Sequence, residues 1–142
     1  MKIAIGSDHA GYQLKKTIIN KFKDKVEFKD VGTYSEERVD YPDYAHLAAK
    51  ELNSNKVDRI VLICGSGNGI QMTANKHNNV RCALCWTEEI TQLARQHNDA
   101  NAISLPARFI NEVEAEKIVE AFIKTTFEGG RHQKRTIKIN AK

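Results

Sequence analysis

The chain has 142 residues, of which 41% are hydrophobic and 28% are charged, and its net charge is +4. These values predict one soluble domain over residues 1–142. The scattered basic residues argue against nucleic-acid binding, and no apolar stretch approaches the length of a membrane span. We therefore expect a cytoplasmic protein that binds neither nucleic acid nor a membrane.

Strand-like and helix-like patterns alternate along the chain. Short apolar and β-branched runs predict five strands, at residues 2–6, 26–31, 57–64, 80–86 and 102–105. Apolar residues at helical spacing predict five helices, at residues 12–22, 42–53, 68–76, 88–97 and 111–127. Pro42 suits the first turn of the second helix, and a basic tail at 128–142 is broken by Gly129 and Gly130.

This alternation predicts an α/β fold. Its sheet is a doubly wound, five-stranded parallel sheet with helices on both faces, a Rossmann-like or flavodoxin-like three-layer sandwich. We expect the strand order 2-1-3-4-5, which makes strands one and three neighbours at the switch point where such sheets bind ligands. Residues 7–11 and 64–69, which follow these two strands, should therefore meet and form the binding site.

The segment after the third strand carries the strongest signal for chemistry. Cys64 follows an apolar run and precedes glycines at alternate positions, namely Gly65, Gly67 and Gly69. Such a turn at a helix N-terminus is typical of an anion-binding loop, although tight packing of the turn would also select glycine. A thiol beside it favours proton transfer or nucleophilic catalysis, and we expect the loop amides to lower the pKa of Cys64.

The other two cysteines, Cys82 and Cys85, have the spacing C-x-x-C but lie in a predicted strand. Residues three apart on a strand point to opposite faces, so the two thiols cannot ligate one metal ion. No second Cys or His pair completes a zinc site. We therefore expect buried strand cysteines and no metal.

Several polar residues follow predicted strands and helices. Asp8 and His9 come after the first strand, where the alternatives are a ligand site or an N-cap with a solvent-exposed neighbour. His97 lies in the last turn of a helix, where it can be catalytic or simply favourable for the helix dipole. Arg131 and Arg135 are four residues apart, and two guanidinium groups on one helix face suit a phosphate.

Together these segments resemble the type B ribose-5-phosphate isomerases, a family shared with the galactose-6-phosphate isomerase subunits. The resemblance spans nearly the whole chain and is specific in its combination of motifs. The matching segments are residues 6–11, 40–42, 64–69, 74–76, 95–99 and 129–135.

The resemblance implies interconversion of ribose 5-phosphate and ribulose 5-phosphate through a cis-enediolate. Cys64 matches the residue that moves the proton between the two carbons. Some family members instead carry a glutamate after the last loop glycine, so Ile70 indicates the cysteine-type branch. Ser66 and the backbone amides of the loop match the anion hole, which comprises Gly65, Ser66, Gly67, Asn68 and Gly69.

The resemblance also assigns substrate-handling roles. His97 matches the acid that opens the furanose ring, supported by Asp8 or Tyr41. Asn98 matches a group that hydrogen-bonds the sugar oxygens. The matching phosphate clamp consists of His9, Arg108, Arg131 and Arg135.

The family works without metal or organic cofactor, as homodimers or tetramers whose active sites are shared between subunits. We therefore expect residues 128–142 to reach a partner subunit. A hexose-6-phosphate isomerase, for allose or galactose phosphates, remains an alternative because the sequence does not report pocket length. A non-catalytic sugar-phosphate sensor is another, and it would have no need for Cys64.

Overall fold

A computed structural model of the chain describes residues 1–139, in one α/β domain. Five parallel strands form the sheet: β1 (Lys2–Ser7), β2 (Glu27–Asp30), β3 (Arg59–Cys64), β4 (Cys82–Leu84) and β5 (Ala102–Pro106). The helices are α1 (Tyr12–Phe22), α2 (Tyr41–Asn53), α3 (Asn68–Ala74), α4 (Glu88–Asn98), α5 (Glu112–Lys124) and α6 (Gln133–Ile139). Short 3₁₀ turns at His9–Gly11 and Gly130–His132 precede α1 and α6.

The predicted elements are confirmed, with differences at their ends. The fourth strand was predicted over seven residues and has three, Cys82–Leu84. The last predicted helix ends at Lys124 and begins with a capping box, in which Asn111 and Glu114 satisfy each other's backbone N–H groups. The tail was not predicted to fold, yet its described part forms a 3₁₀ turn and α6. Residues 140–142 of the predicted tail segment lie outside the described residues.

The predicted fold class is confirmed, but the predicted strand order is wrong in its second half. The observed order is β2-β1-β3-β5-β4, so β5 lies inside the sheet and β4 at its edge. All five residues of β5 are buried, which suits an interior parallel strand. The three-residue β4 suits an edge, and there the Asn75 side chain bonds both the N–H and the C=O of Cys82.

The switch point itself is as predicted. β1 pairs with β3 in parallel from Ile3 opposite Arg59 to Ser7 opposite Ile63, so their carboxyl ends lie together. One face of the sheet packs on α1 and α5 through residues such as Ile18 and Phe122. The other face packs on α2 and α3 through alanines and through Ile70. Within residues 1–139, no helix is both long and apolar enough to cross a membrane.

The buried ion pair of Lys15 fixes the loop that follows β2. The Lys15 side chain has no exposed area, and its Nζ lies 2.5 Å from Asp30 Oδ1 and 2.6 Å from the Thr33 carbonyl oxygen. The same loop is tied to β1, because the Thr33 N–H donates to the Ser7 carbonyl at 2.8 Å. A buried cation thus holds the chain that leads into α2 and its Tyr41.

The prediction of buried cysteines at 82 and 85 is confirmed. Both thiols are free and buried. Burial raises the pKa of Cys82, and it raises that of Cys85 to about 11. These thiols are protonated and inert at neutral pH.

Candidate active site

A cavity of about 450 Å³ lies at the carboxyl ends of β1 and β3, where the sequence predicted the ligand site. It has one ionisable thiol, one carboxylate and one guanidinium among its lining groups. The lining residues are Asp8, Tyr41, Cys64, Gly65, Ser66, Gly69, Arg108 and Phe109. Seven of these eight residues, all except Phe109, were predicted as site residues, and the structure brings them together. This combination can bind an oxyanion and move a proton beside it.

The glycine loop is shaped by two close approaches. Gly67 has a φ of +76°, and a Cβ there would lie 2.4 Å from Leu84 Cδ1. A Cβ on Gly69 would lie 2.4 Å from the Tyr41 ring, so this glycine lets Tyr41 cover the loop. The turn also directs the Gly67 N–H at Cys64 Sγ, at 3.2 Å. Tight packing therefore accounts for Gly67 and Gly69, and close approach of a ligand to the loop stays a prediction.

Cys64 is the buried nucleophilic group of this cavity, with only 4% of its surface exposed. Burial raises the pKa of the Cys64 thiol, and the nearby Asp8 charge adds to the increase. The backbone amides of Ile70, Gly67 and Ser66 act in the opposite direction but do not outweigh burial. The expectation of a lowered pKa is therefore wrong, because the loop removes water from the sulfur as it offers its amides.

Asp8 and His9 occupy the mouth of β1. Asp8 Oδ1 accepts the N–H groups of Ala10 and Gly11 at 3.0 and 3.1 Å, which confirms the N-cap interpretation. The same residue lines the cavity, so its capping role does not exclude contact with a ligand, which stays a prediction. His9 Nδ1 accepts the Val39 N–H at 3.3 Å and lies at the edge of this region, outside the cavity lining.

Arg108 and Phe109 follow β5 and close the other side of the cavity. The Arg108 N–H donates to the Gly65 carbonyl at 3.0 Å, and its guanidinium packs beside Gly65. Phe109 lines the cavity with 74% of its surface exposed. Sequence reasoning missed Phe109; its adjacency to Arg108 was the available signal. A large exposed aromatic ring at a cavity rim is typical of a surface that another molecule covers.

The remaining predicted site residues lie elsewhere in this chain. α4 starts beyond the carboxyl end of β4 and returns to the beginning of β5, so His97 and Asn98 lie at the amino ends of the strands, opposite the carboxyl ends where Cys64 lies. Asn98 lines a separate cavity of about 340 Å³ with Cys82 and Ile139. Asp8 and Tyr41, predicted to support His97, line the Cys64 cavity instead.

The two tail arginines belong to the His97 region. Arg131 lies in the 3₁₀ turn and Arg135 in α6, rather than both on one regular helix. The tail returns to its own domain, since the Glu128 N–H donates to the Gln96 carbonyl at 3.1 Å. One chain therefore carries the predicted site residues in two separate regions. We call them the thiol half, around Cys64, and the histidine half, around His97.

His132 and Glu128 are functional candidates that sequence reasoning did not single out. The imidazole rings of His97 and His132 stack with centroids 4.2 Å apart and planes 7° apart. Glu128 Oε2 lies 3.9 Å from His97 Nε2 and 3.6 Å from His132 Nε2. The only signal in the sequence was that Glu128 and His132 lie on either side of Gly129 and Gly130. This signal did not reveal that the two residues contact α4, about 30 residues earlier.

Comparison with protein families gives a match over nearly the whole chain. The model for Ribose/Galactose Isomerase matches residues 3–139. The chain belongs to this family. Among curated members of the Ribose/Galactose Isomerase family, ribose-5-phosphate isomerase B of Escherichia coli K12 is 43% identical over 141 residues, covering 99% of this chain and 95% of the relative.

Solved structures of family members agree with the fold. A ribose 5-phosphate isomerase of Thermotoga maritima has a TM-score of 0.96 and 46% identity, covering 98% of this chain and 97% of that chain. Ribose-5-phosphate isomerase B of Mycoplasma genitalium, solved with bound ribulose-5-phosphate, has a TM-score of 0.94 and 45% identity. The match covers 98% of this chain and 93% of that chain.

Proposed function

We propose that this chain is a ribose-5-phosphate isomerase, which interconverts D-ribose 5-phosphate and D-ribulose 5-phosphate through a cis-enediolate. Family membership and full-length similarity to enzymes of that name support the proposal. The observation that carries it is the buried Cys64 thiol beside the amide-rich loop and the Arg108 guanidinium. The reaction belongs to pentose phosphate metabolism, which is a cytoplasmic process.

Cys64 moves the proton between C1 and C2 of the open-chain sugar. In the forward direction the thiolate removes the proton from C2, and the electron pair forms the C1–C2 double bond of the enediolate. The negative charge develops on the former carbonyl oxygen, where Ser66 and the amides of residues 65–69 donate hydrogen bonds. The proton of the C2 hydroxyl passes to O1, and return of the carbon-bound proton to C1 then leaves the C2 carbonyl of the ketose. No metal or organic cofactor has a role in this proposal.

The raised pKa of Cys64 has a catalytic consequence. The thiolate is scarce in the ligand-free site because burial disfavours its charge. Once formed, that thiolate is a stronger base than an exposed one, which suits removal of a carbon-bound proton. The loop amides then matter twice, since they stabilise first the sulfur anion and afterwards the enediolate.

The histidine half supplies ring opening and part of the phosphate clamp. His97 donates a proton to the furanose ring oxygen, and Asn98 hydrogen-bonds the sugar hydroxyls. The phosphate is held by His9, Arg108, Arg131 and Arg135. Because the two halves lie at opposite ends of the strands of one sheet, the histidine half of one subunit serves the thiol half of its partner. The active form is therefore a homodimer, or a tetramer of two such dimers, with shared sites.

A coupled assay tests the activity directly. Turnover of ribose 5-phosphate should exceed that of allose 6-phosphate and galactose 6-phosphate. A preference for either hexose phosphate would replace the pentose assignment within the same family. Tight binding of ribose 5-phosphate without turnover by the wild-type chain would identify a sensor and overturn the enzyme assignment.

A further inference from the structure

The cluster of His97, Glu128 and His132 lies in the histidine half. His132 has only 4% of its surface exposed, whereas His97 is half-buried and Glu128 is exposed. The two rings are stacked, and the Glu128 carboxylate lies beside Nε2 of both. A buried imidazole stacked on a more accessible one is an arrangement for orienting the accessible ring.

Two histidines and a glutamate also have the composition of a zinc site, and their ligand atoms lie within 4.8 Å of one another. The geometry opposes this function. A ring nitrogen binds a metal ion in the plane of its ring, and two planes only 7° apart do not converge on one ion. In addition, the Arg131 Nε–H donates to His132 Nε2 at 3.3 Å, so the lone pair of that nitrogen already accepts a hydrogen bond from a guanidinium group.

The cluster is held by a network from α4 and the chain that follows α5. Arg95 is buried, and its Nε–H donates to the Thr125 carbonyl at 3.2 Å. The Glu128 N–H donates to the Gln96 carbonyl, and the His132 N–H to the Gly129 carbonyl. These bonds place Glu128 and His132 against the last turn of α4 independently of any partner. The orientation of His97 is therefore built into the single chain.

The protonation of His132 follows from its surroundings. Burial lowers the pKa of His132, and the nearby His97 and Arg131 charges lower it further, against an opposing effect of Glu128. His132 is thus neutral at pH 7 and carries its hydrogen on Nδ1, since Nε2 accepts from Arg131. His97 is the more exposed of the two rings, and the Glu128 carboxylate lies 3.9 Å from its Nε2.

We propose that Glu128 and His132 are positioning residues for His97, holding its imidazole in the orientation from which it opens the furanose ring. The proposal rests on the proposed isomerase function. In the step itself, protonated His97 gives its proton to the ring oxygen and the C1–O bonding pair moves to that oxygen. The anomeric hydroxyl loses its proton to water as the C1 carbonyl forms, and His97 is reprotonated from solvent. Glu128 and His132 touch His97, and they take no part in the bond changes.

The test compares a substrate that needs ring opening with one that does not. Ribose 5-phosphate cyclises as a furanose, whereas a four-carbon aldose phosphate, with its phosphate on C4, does not. Glu128→Gln should lower kcat/KM for ribose 5-phosphate by about tenfold, as expected of a displaced catalytic group. Activity on the four-carbon substrate should stay within about twofold of the wild type. Glu120→Gln, which removes a half-buried carboxylate from α5, is the matched control and should change neither activity.

His132 provides a second variant with a spectroscopic readout. His132→Phe keeps an aromatic platform and should retain more ribose 5-phosphate activity than His132→Ala. In NMR spectra, His132→Ala should shift the ring resonances of His97 through loss of the stacked ring, while backbone resonances of the sheet stay in place. Equal losses on both substrates in Glu128→Gln, or unchanged His97 resonances in His132→Ala, would overturn the proposal.

The same experiment separates this inference from the proposed function. If the wild-type chain isomerises neither substrate, the isomerase assignment fails, and the NMR comparison alone decides whether His132 orients His97. If the wild type isomerises both and Glu128→Gln behaves like Glu120→Gln on both, the isomerase assignment stands and the positioning role is wrong.

Discussion

The thiol half and the histidine half of this protein are built in different ways. The thiol half lies at strand ends, where Cys64 is buried and its loop is fixed by glycine packing and backbone hydrogen bonds. The histidine half lies on the last turn of α4 and on the tail, where side-chain contacts hold the parts together. The difference suits the two chemical tasks that we propose for them. Proton transfer at carbon needs a dry, rigid site, whereas ring opening needs an acid that exchanges protons with water.

The largest expected effect distinguishes the thiol of the site from the other thiols. Cys64→Ala should lower isomerisation by about 10²-fold or more while ribose 5-phosphate still binds, because the base is lost and the phosphate clamp is kept. Steady-state kinetics and isothermal titration measure the two quantities. Cys85→Ala is the matched control, since Cys85 is buried in the core. Normal turnover by Cys64→Ala would remove the thiol half from the mechanism.

The next prediction tests whether the two halves combine across subunits. Mixing inactive Cys64→Ala and His97→Asn chains should restore activity, because in a mixed dimer one shared site carries both defects and the other carries neither. Random exchange would restore about one quarter of the wild-type sites. Mixing Cys64→Ala with Asp8→Asn is the control and should restore nothing, since both residues line the same cavity. Confirmed exchange without restored activity would place both halves of a site in one subunit.

A third prediction compares the anchors of the two halves. Lys15→Met should lower the free energy of unfolding by about 3–5 kcal/mol, because it leaves Asp30 without its buried partner. Arg95→Met should be comparably destabilising, since Arg95 bonds Asp99 and the carbonyls of Ala100 and Thr125. Chemical denaturation measures both. Wild-type stability in either variant would show that its half is held by other contacts.

The smallest effects concern pH. The pKa of Cys85 is raised from 9.0 to about 11 by burial, so its contribution to stability is complete below pH 9 and is lost between pH 9 and 11. The loss amounts to about 1.4 kcal/mol per pH unit in that window. Cys85→Ala should flatten this alkaline decline in urea denaturation at several pH values.

The stability that the histidine half contributes should depend on pH in the opposite direction, with the loss at acid pH. The pKa of His132 is lowered from 6.5, chiefly by burial, so its contribution is present above pH 6.5 and is lost as the pH falls and the ring must be protonated. His132→Phe should flatten the acid side of the stability profile and leave the alkaline side unchanged. An unchanged acid side would mean that His132 is not buried in solution.

Local patterns in the sequence were sufficient for the elements and for much of the thiol half. Short apolar and β-branched runs located the five strands, and helical spacing located α1 to α5, because burial in the core leaves a direct trace in the order of residues. The loop from Cys64 to Gly69 and the adjacency of β1 and β3 followed from glycine spacing and the handedness of crossovers. Asp8 and Arg108 came with them, since each follows a strand whose carboxyl end lies at this side of the sheet, whereas Tyr41 was predicted only through the family resemblance.

Only the tertiary structure decided the rest. Which of β4 and β5 lies at the edge depends on how completely each is buried, and the balance of burial against amide donors at Cys64 depends on the packed loop. His97 is separated from Cys64 because α4 returns to the amino ends of the strands. His97 contacts His132 because the tail folds back over the last turn of α4. These are long-range properties. The sequence determines these properties through the free energy of the whole fold, and no short sequence pattern predicts them.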